Sequence, residues 1–182
     1  LSWTFYLLSL HPDQRRRLED ENSEVGEAED LSKHPFSERV ILESMRLYPP
    51  VWVYGRISNG PDEFLGYPIQ KNQIITVAPY VLHRNPAIWP NPEGFDPDRF
   101  LSDRPKGSYV PFAHGPRQCI GNHFAMMEAR LLLTTITAQV RLNLLAGTRI
   151  TPEALVTLRP RGGLPITLEW LGAKRVGPGQ SE

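Results

Sequence analysis

The sequence predicts a mainly α fold with small β-sheets (α+β), on three observations. Residues 36–48 and 122–140 carry apolar side chains at helical spacing. Short β-type runs bounded by Gly, Asn and Pro lie between and after them. The 18 prolines among 182 residues are about twice the usual ~5% and are dispersed, which implies ordered loops.

Residues 1–10, LSWTFYLLSL, read as the last turns of a buried helix that stops near Pro12. A second short helix covers 13–18. Residues 19–30 are dense in acids and almost free of apolar side chains, as in a solvated, mobile loop whose charge needs no functional explanation. Pro35 opens the next helix, 36–48, with Val40, Ile41, Met45, Leu47 and Tyr48 on its buried face, and Pro49-Pro50 ends it. The β-type runs are 51–58, 63–69 and 73–78, separated by Asn59-Gly60-Pro61 and Lys71-Asn72, and together they predict one small curved sheet.

Residues 83–111 are proline-dense and aperiodic. A loop of that length inside a compact domain is functional or disordered, and Trp89, Phe95, Phe100 and Tyr109 argue for an ordered one. The clearest helix is 122–140, with Phe124, Met127, Leu131 and Ile136 at helical spacing. Residues 141–171 predict β-hairpins, including a Gly162-Gly163 turn flanked by 156–158 and 166–170. Residues 172–182 form a frayed end.

Composition narrows the function. Lys and Arg number 20 against 20 Asp and Glu, so no global field recruits nucleic acid. No apolar run approaches the ~20 residues of a membrane span, and residues 1–10 lack the basic flank and cleavage site of a signal peptide. The chain has no initiator methionine, so its natural start is expected upstream. A single cysteine, Cys119, excludes an internal disulfide.

Cys119 lies in the ten residues from Phe112 to Gly121, FAHGPRQCIG. A thiolate needs stabilising charge or dipoles before it can ligate or attack. Here it precedes a helix whose unpaired N–H groups favour an anion. Gly115 and Gly121 let the backbone turn sharply and approach a flat ligand. Three other readings stand beside a metal ligand. They are a buried free thiol acting as a small hydrophobe, a zinc site through His114, Cys119 and His123, and a small Cys-dependent binding domain. Glu43 and Arg46, three apart on one helix face, read on spacing alone as a surface pair.

The ten-residue stretch resembles the F-x-x-G-x-R-x-C-x-G cysteine loop of the cytochrome P450 family, the haem-thiolate monooxygenases, at all five fixed positions. Glu43-Ser-Met-Arg46 matches the family's E-x-x-R helix, and Phe95-Asp-Pro-Asp-Arg99-Phe100 its F-x-P-x-R-F segment. The resemblance implies the C-terminal part of that fold, residues 1–182 of one domain, without the N-terminal helices and most of the distal helix that would precede Leu1. It further implies Cys119 as axial ligand to the iron of haem b, with Phe112, Gly115 and Gly121 shaping the loop around it. Arg56 and Arg117 would hold haem propionates, and His83 would be either a third propionate contact or a histidine packed within its loop. Glu43, Arg46 and Arg99 would form a buried scaffold triad. Val51, Trp52, Val53, Val156 and Thr157 would face substrate. His114 receives no role.

The implied activity is insertion of one atom of O2 into an organic substrate. Electrons would come from NAD(P)H through a ferredoxin, flavodoxin or flavoprotein reductase docked near Arg104, Lys106, Arg117 and Arg130. The acid–threonine pair of the distal helix would lie upstream, so the chain alone is expected to be inactive. The alternative is a non-catalytic remnant that binds haem weakly or not at all. Compartment is open: the cytoplasm for a bacterial protein, or a membrane surface through an anchor upstream of Leu1.

Overall fold

The computed structural model describes residues 1–23 and 30–172. All but Gly172 of the expected frayed end (172–182), and residues 24–29 of the expected acidic loop (19–30), lie outside the described residues. Helix α1 (Ser2–Leu10) buries Trp3, Thr4, Leu7 and Leu8. Pro12 then opens α2 (Pro12–Asn22) at its first position, where a missing N–H and fixed φ cost nothing.

Helix α2 runs four residues past the predicted end at 18, because its acids have partners. Glu19 accepts from Arg141 Nε at 2.9 Å and Nη2 at 2.6 Å. Glu21 accepts the N–H groups of Phe36 and Ser37, each at 2.8 Å. These two acids are therefore fastened, in contrast to the solvated loop expected there. Glu21 satisfies orphan donors at the start of α3 (Pro35–Leu47). Helix α3 places Phe36, Val40, Ile41 and Leu47 in a core with Leu7, Leu8, Leu18, Phe95 and Leu133.

Two two-stranded sheets replace the single curved sheet. Strand β1 (Tyr54–Ile57) runs antiparallel to β4 (Ile74–Val77), with Tyr54 opposite Val77. The run 63–69 splits into β2 (Asp62–Phe64) and β3 (Tyr67–Ile69), a separate hairpin. Leu65 and Gly66 both take positive φ, 51° and 82°, and two such residues turn a tight hairpin.

Helix α4 (Pro79–Leu82) leads into the proline-dense segment, which is ordered as expected. Its rings pack on one another, with centroids of Phe100 and Tyr109 5.1 Å apart and of His83 and Tyr109 5.0 Å apart. Helix α5 (Asn122–Gln139) buries Leu133, Thr134 and Thr137. The stripe of Phe124, Met127 and Leu131 that marked it as a helix in the sequence is exposed, since α5 is apolar on more than one face.

Strands β5 (Val140–Leu144), β6 (Pro152–Ala154), β7 (Leu158–Pro160) and β8 (Ile166–Trp170) complete the chain. Strand β8 pairs with β5, and β6 with β7. The Gly162-Gly163 turn therefore links two sheets and closes no hairpin. Among the described residues no helix is long and apolar enough to cross a membrane.

Replacing Glu21 by Ala strips the start of α3 of its acceptor. It should cost about 1–2 kcal/mol, read as a lower urea midpoint with an unchanged slope.

Candidate functional site

The centre of the site's support is a carboxylate with no access to water. Glu43 and Arg46 are both 0% exposed, and their spacing on α3 lets the guanidinium fold back on the acid. Arg46 Nε donates to Glu43 Oε2 at 2.7 Å and Nη2 to Oε1 at 2.9 Å. Its other donors reach the carbonyls of His83 at 2.8 Å, Pro92 at 2.7 Å and Gly94 at 2.9 Å. All five guanidinium N–H groups are thus used. Arg99 joins from the 3-10 turn Pro97–Leu101. Its Nε donates to Glu43 Oε1 at 3.2 Å, and its Nη1 to Pro90 O at 2.7 Å. The Asp96 N–H adds a fourth bond to Glu43, at 3.0 Å. The two residues read on spacing as a surface pair are a buried clamp on the proline-dense segment.

His83 is fully buried. Its Nε2 accepts the Val110 N–H at 2.9 Å, and its carbonyl holds Arg46. With its ring packed inside the segment, it corresponds to the packed-histidine reading and is not placed to reach an external carboxylate. Burial, and then the Arg46 charge, lower its pKa from 6.5 to about 4. Tyr109 OH donates to Leu42 O at 2.8 Å, and burial raises its pKa well above the usual value.

The cysteine loop emerges from this braced base. The Cys119 N–H donates to Phe112 O at 2.9 Å, closing a loop around the 3-10 turn Gly115–Arg117. Gly115 sits at φ 80°, a conformation that a side chain resists. Gly121 has an ordinary φ of −89°, and a Cβ there would touch only Cys119 Sγ at 4.0 Å. The expected backbone freedom is therefore used at Gly115 and not at Gly121. Cys119 is exposed, unlike the buried thiol that a lone cysteine suggests. It lies just before the N-terminus of α5, where the His123 N–H donates to Asn122 Oδ1 at 2.7 Å. Among the described residues no three His, Cys, Asp or Glu side chains gather to hold a metal ion, which leaves the zinc reading without support.

Arg56 and Arg117 are exposed and form no ion pair among the described residues. Arg56 lies over the Tyr54 ring at 5.0 Å and donates to Gly55 O at 2.9 Å. Arg104 stacks on Phe100 at 4.2 Å, and Lys106 is exposed. Arg130 is already engaged: it pairs with Glu38 at 3.2 Å and donates to Leu31 O. It is the weakest of the four expected docking cations.

Residues 51–53 and the tip of the β6–β7 hairpin are brought together, because Trp52 Nε1 donates to Leu155 O at 2.8 Å. Two further supports had no signal in the sequence. Asp98 accepts from Arg17 Nη1 at 2.5 Å and Nη2 at 3.0 Å, and Trp3 Nε1 donates to Leu158 O at 3.0 Å. Only a spatial pairing reveals either.

Arg46→Lys cannot satisfy the clamp with three donors, and should cost about 3–5 kcal/mol in urea unfolding. His83 is neutral when folded and has a depressed pKa, so its contribution is complete above pH ~6.5 and is lost as pH falls toward ~4. Over that window the urea midpoint of the wild type should fall with acidification, and that of His83→Asn should fall less.

The family model "Cytochrome P450" matches residues 1–163. Cyclooctatin synthase of Streptomyces melanosporofaciens is 38% identical over 167 residues, covering 87% of this chain and 36% of that protein. Human cytochrome P450 4V2 is 37% identical over 147 residues, 75% of this chain and 28% of that protein. A solved structure, retinoic acid-bound cyanobacterial CYP120A1, superposes with a TM-score of 0.88 at 33% identity, covering 94% of this chain and 42% of that one. The chain thus spans roughly a third of the length of these curated relatives. From the match over residues 1–163 and the shared fold it follows that this chain belongs to the cytochrome P450 family.

Proposed function

We propose that this chain is the haem-ligating part of a monooxygenase acting on an organic substrate. The observation that carries the reading is the exposed Cys119 on a loop closed by Phe112 O and seated before α5. The donor set suits haem b. One soft thiolate meets the iron's preference for sulfur. Two guanidiniums that form no ion pair among the described residues, on Arg56 and Arg117, suit two propionates in the bidentate way that arginine favours. Phe112 and Gly115 shape the loop from beneath.

When bound, the haem supplies the redox chemistry by which one atom of O2 enters the substrate, with electrons from NAD(P)H through a redox partner. The chain's own residues have simpler tasks. Cys119 would supply the sulfur ligand from its exposed place on the loop before α5. Arg56 and Arg117 would hold the cofactor's propionate edge. Glu43, Arg46 and Arg99 fix the segment below the loop and touch no reactant. Arg104, Lys106 and Arg117 offer positive charge to an acidic ferredoxin, flavodoxin or flavoprotein reductase. Val51, Trp52, Val53, Val156 and Thr157 contribute a wall on the substrate side.

A second reading is a scaffold that keeps the fold but holds haem weakly or not at all. The reduced, CO-bound absorption spectrum of the purified chain separates the two. A Soret band at the thiolate-ligated position supports haem ligation, and its loss in Cys119→Ala assigns the ligand. A band that survives Cys119→Ala would sink that assignment, and no haem uptake by the wild type would leave the scaffold.

A further inference from the structure

The β6–β7 hairpin is too small to hold its own position. It has three residues per strand, and Pro152 faces Pro160 at its open end, where neither can donate to the ladder. A two-stranded ribbon of that size is marginal by itself. Its tip is nonetheless tied at both ends by groups remote in sequence. Trp52 Nε1 donates to Leu155 O at 2.8 Å, and Trp3 Nε1 to Leu158 O at 3.0 Å. The Leu158 N–H returns a bond to Pro50 O at 2.9 Å. Between the two held carbonyls stands Val156, 95% exposed.

The two tryptophans differ in setting. Trp3 is buried in α1 and stacked on Tyr48, with ring centroids 3.9 Å and planes 5° apart. It is a fixed anchor in the core. Trp52 is only half-buried, and its bond to Leu155 spans 103 residues of sequence. An indole suits such a strut, being rigid, with one donor and two side-chain torsions.

We propose that Trp52, acting with Trp3, is a positioning residue that sets where the hairpin tip, and so Val156, stands in the substrate wall. The proposal rests on the reading that this tip borders the substrate space of a haem-thiolate site. Trp3 holds the Leu158 end against the core. Trp52 sets the Leu155 end, so the shape of the wall at Val156 depends on one N–H. Replacing Trp52 by Phe keeps an aromatic ring and removes that donor.

The test compares wild type with Trp52→Phe in two measurements. The first is amide hydrogen exchange at Leu155 and Leu158, whose N–H groups donate to Thr157 O and Pro50 O, and it needs no haem. Loss of one hydrogen bond should speed it by about fivefold, with exchange in α3 unchanged. The second uses haem-loaded protein and two iron-binding probes, imidazole and the bulkier 4-phenylimidazole, titrated by the Soret shift. The ratio of their affinities should change by about threefold or more. Unchanged exchange overturns the strut, and faster exchange with an unchanged ratio overturns its role in specificity. Failure of the haem reading is distinct: no Soret shift would occur with either probe in the wild type, whereas the exchange result would stand.

Discussion

Everything near the cysteine loop depends on how one buried carboxylate is satisfied. Glu43 is sealed from water and accepts four hydrogen bonds, two from Arg46 and one each from Arg99 and the Asp96 N–H. Two guanidiniums against one carboxylate leave an excess positive charge. That excess is spread over the carbonyls of His83, Pro90, Asn91, Pro92 and Gly94. Desolvating these ions is costly, and their mutual attraction repays it only while the hydrogen bonds are complete. The carbonyls therefore cannot drift without stranding a buried donor. An aperiodic, proline-dense stretch acquires a fixed shape by this means.

The rigidity passes upward through few bonds. His83 holds Arg46 by its carbonyl and Val110 by its ring, and Val110 leads into the turn that ends at Phe112. Phe112 O then closes the loop on the Cys119 N–H. On the outer side, Asp98 next to Arg99 is gripped by Arg17 of α2, with Arg39 of α3 3.5 Å away. The 3-10 turn carrying both residues is thus held from the core and from the surface. An exposed ion pair contributes little alone. Here Arg17 also lies 4.0 Å over the Phe36 ring, so its geometry is restricted from two directions.

The sequence made the helices, the cysteine loop and the members of the clamp legible. The helices rest on a period of 3.6, and the cysteine loop and the clamp on motifs shared with the family, since Glu43 and Arg46, three positions apart, read on spacing alone as a surface pair. What it hid was pairing over distance. Glu19 and Glu21 read as loop charge because their partners, Arg141 and the start of α3, lie far away in the chain or across the 24–29 interval. The 63–69 run read as one strand because Leu65 at positive φ leaves no compositional trace. Residues 156–158 and 166–170 read as partners because Gly162-Gly163 resembles a hairpin turn, whereas β8 had a longer match in β5. The apolar stripe of α5 identified a helix, while periodicity does not say which of two apolar faces the core takes.

The central claim is that this base presents the chain's one cysteine as an iron ligand. Because Cys119 is the only cysteine, chain grown with 34S-cysteine carries the label in one thiol. Resonance Raman spectroscopy of the ferric, haem-loaded chain measures the claim directly. The account predicts an iron–sulfur stretching band that moves to lower frequency with the heavier isotope. A spectrum of bound haem with no band sensitive to that label would contradict it.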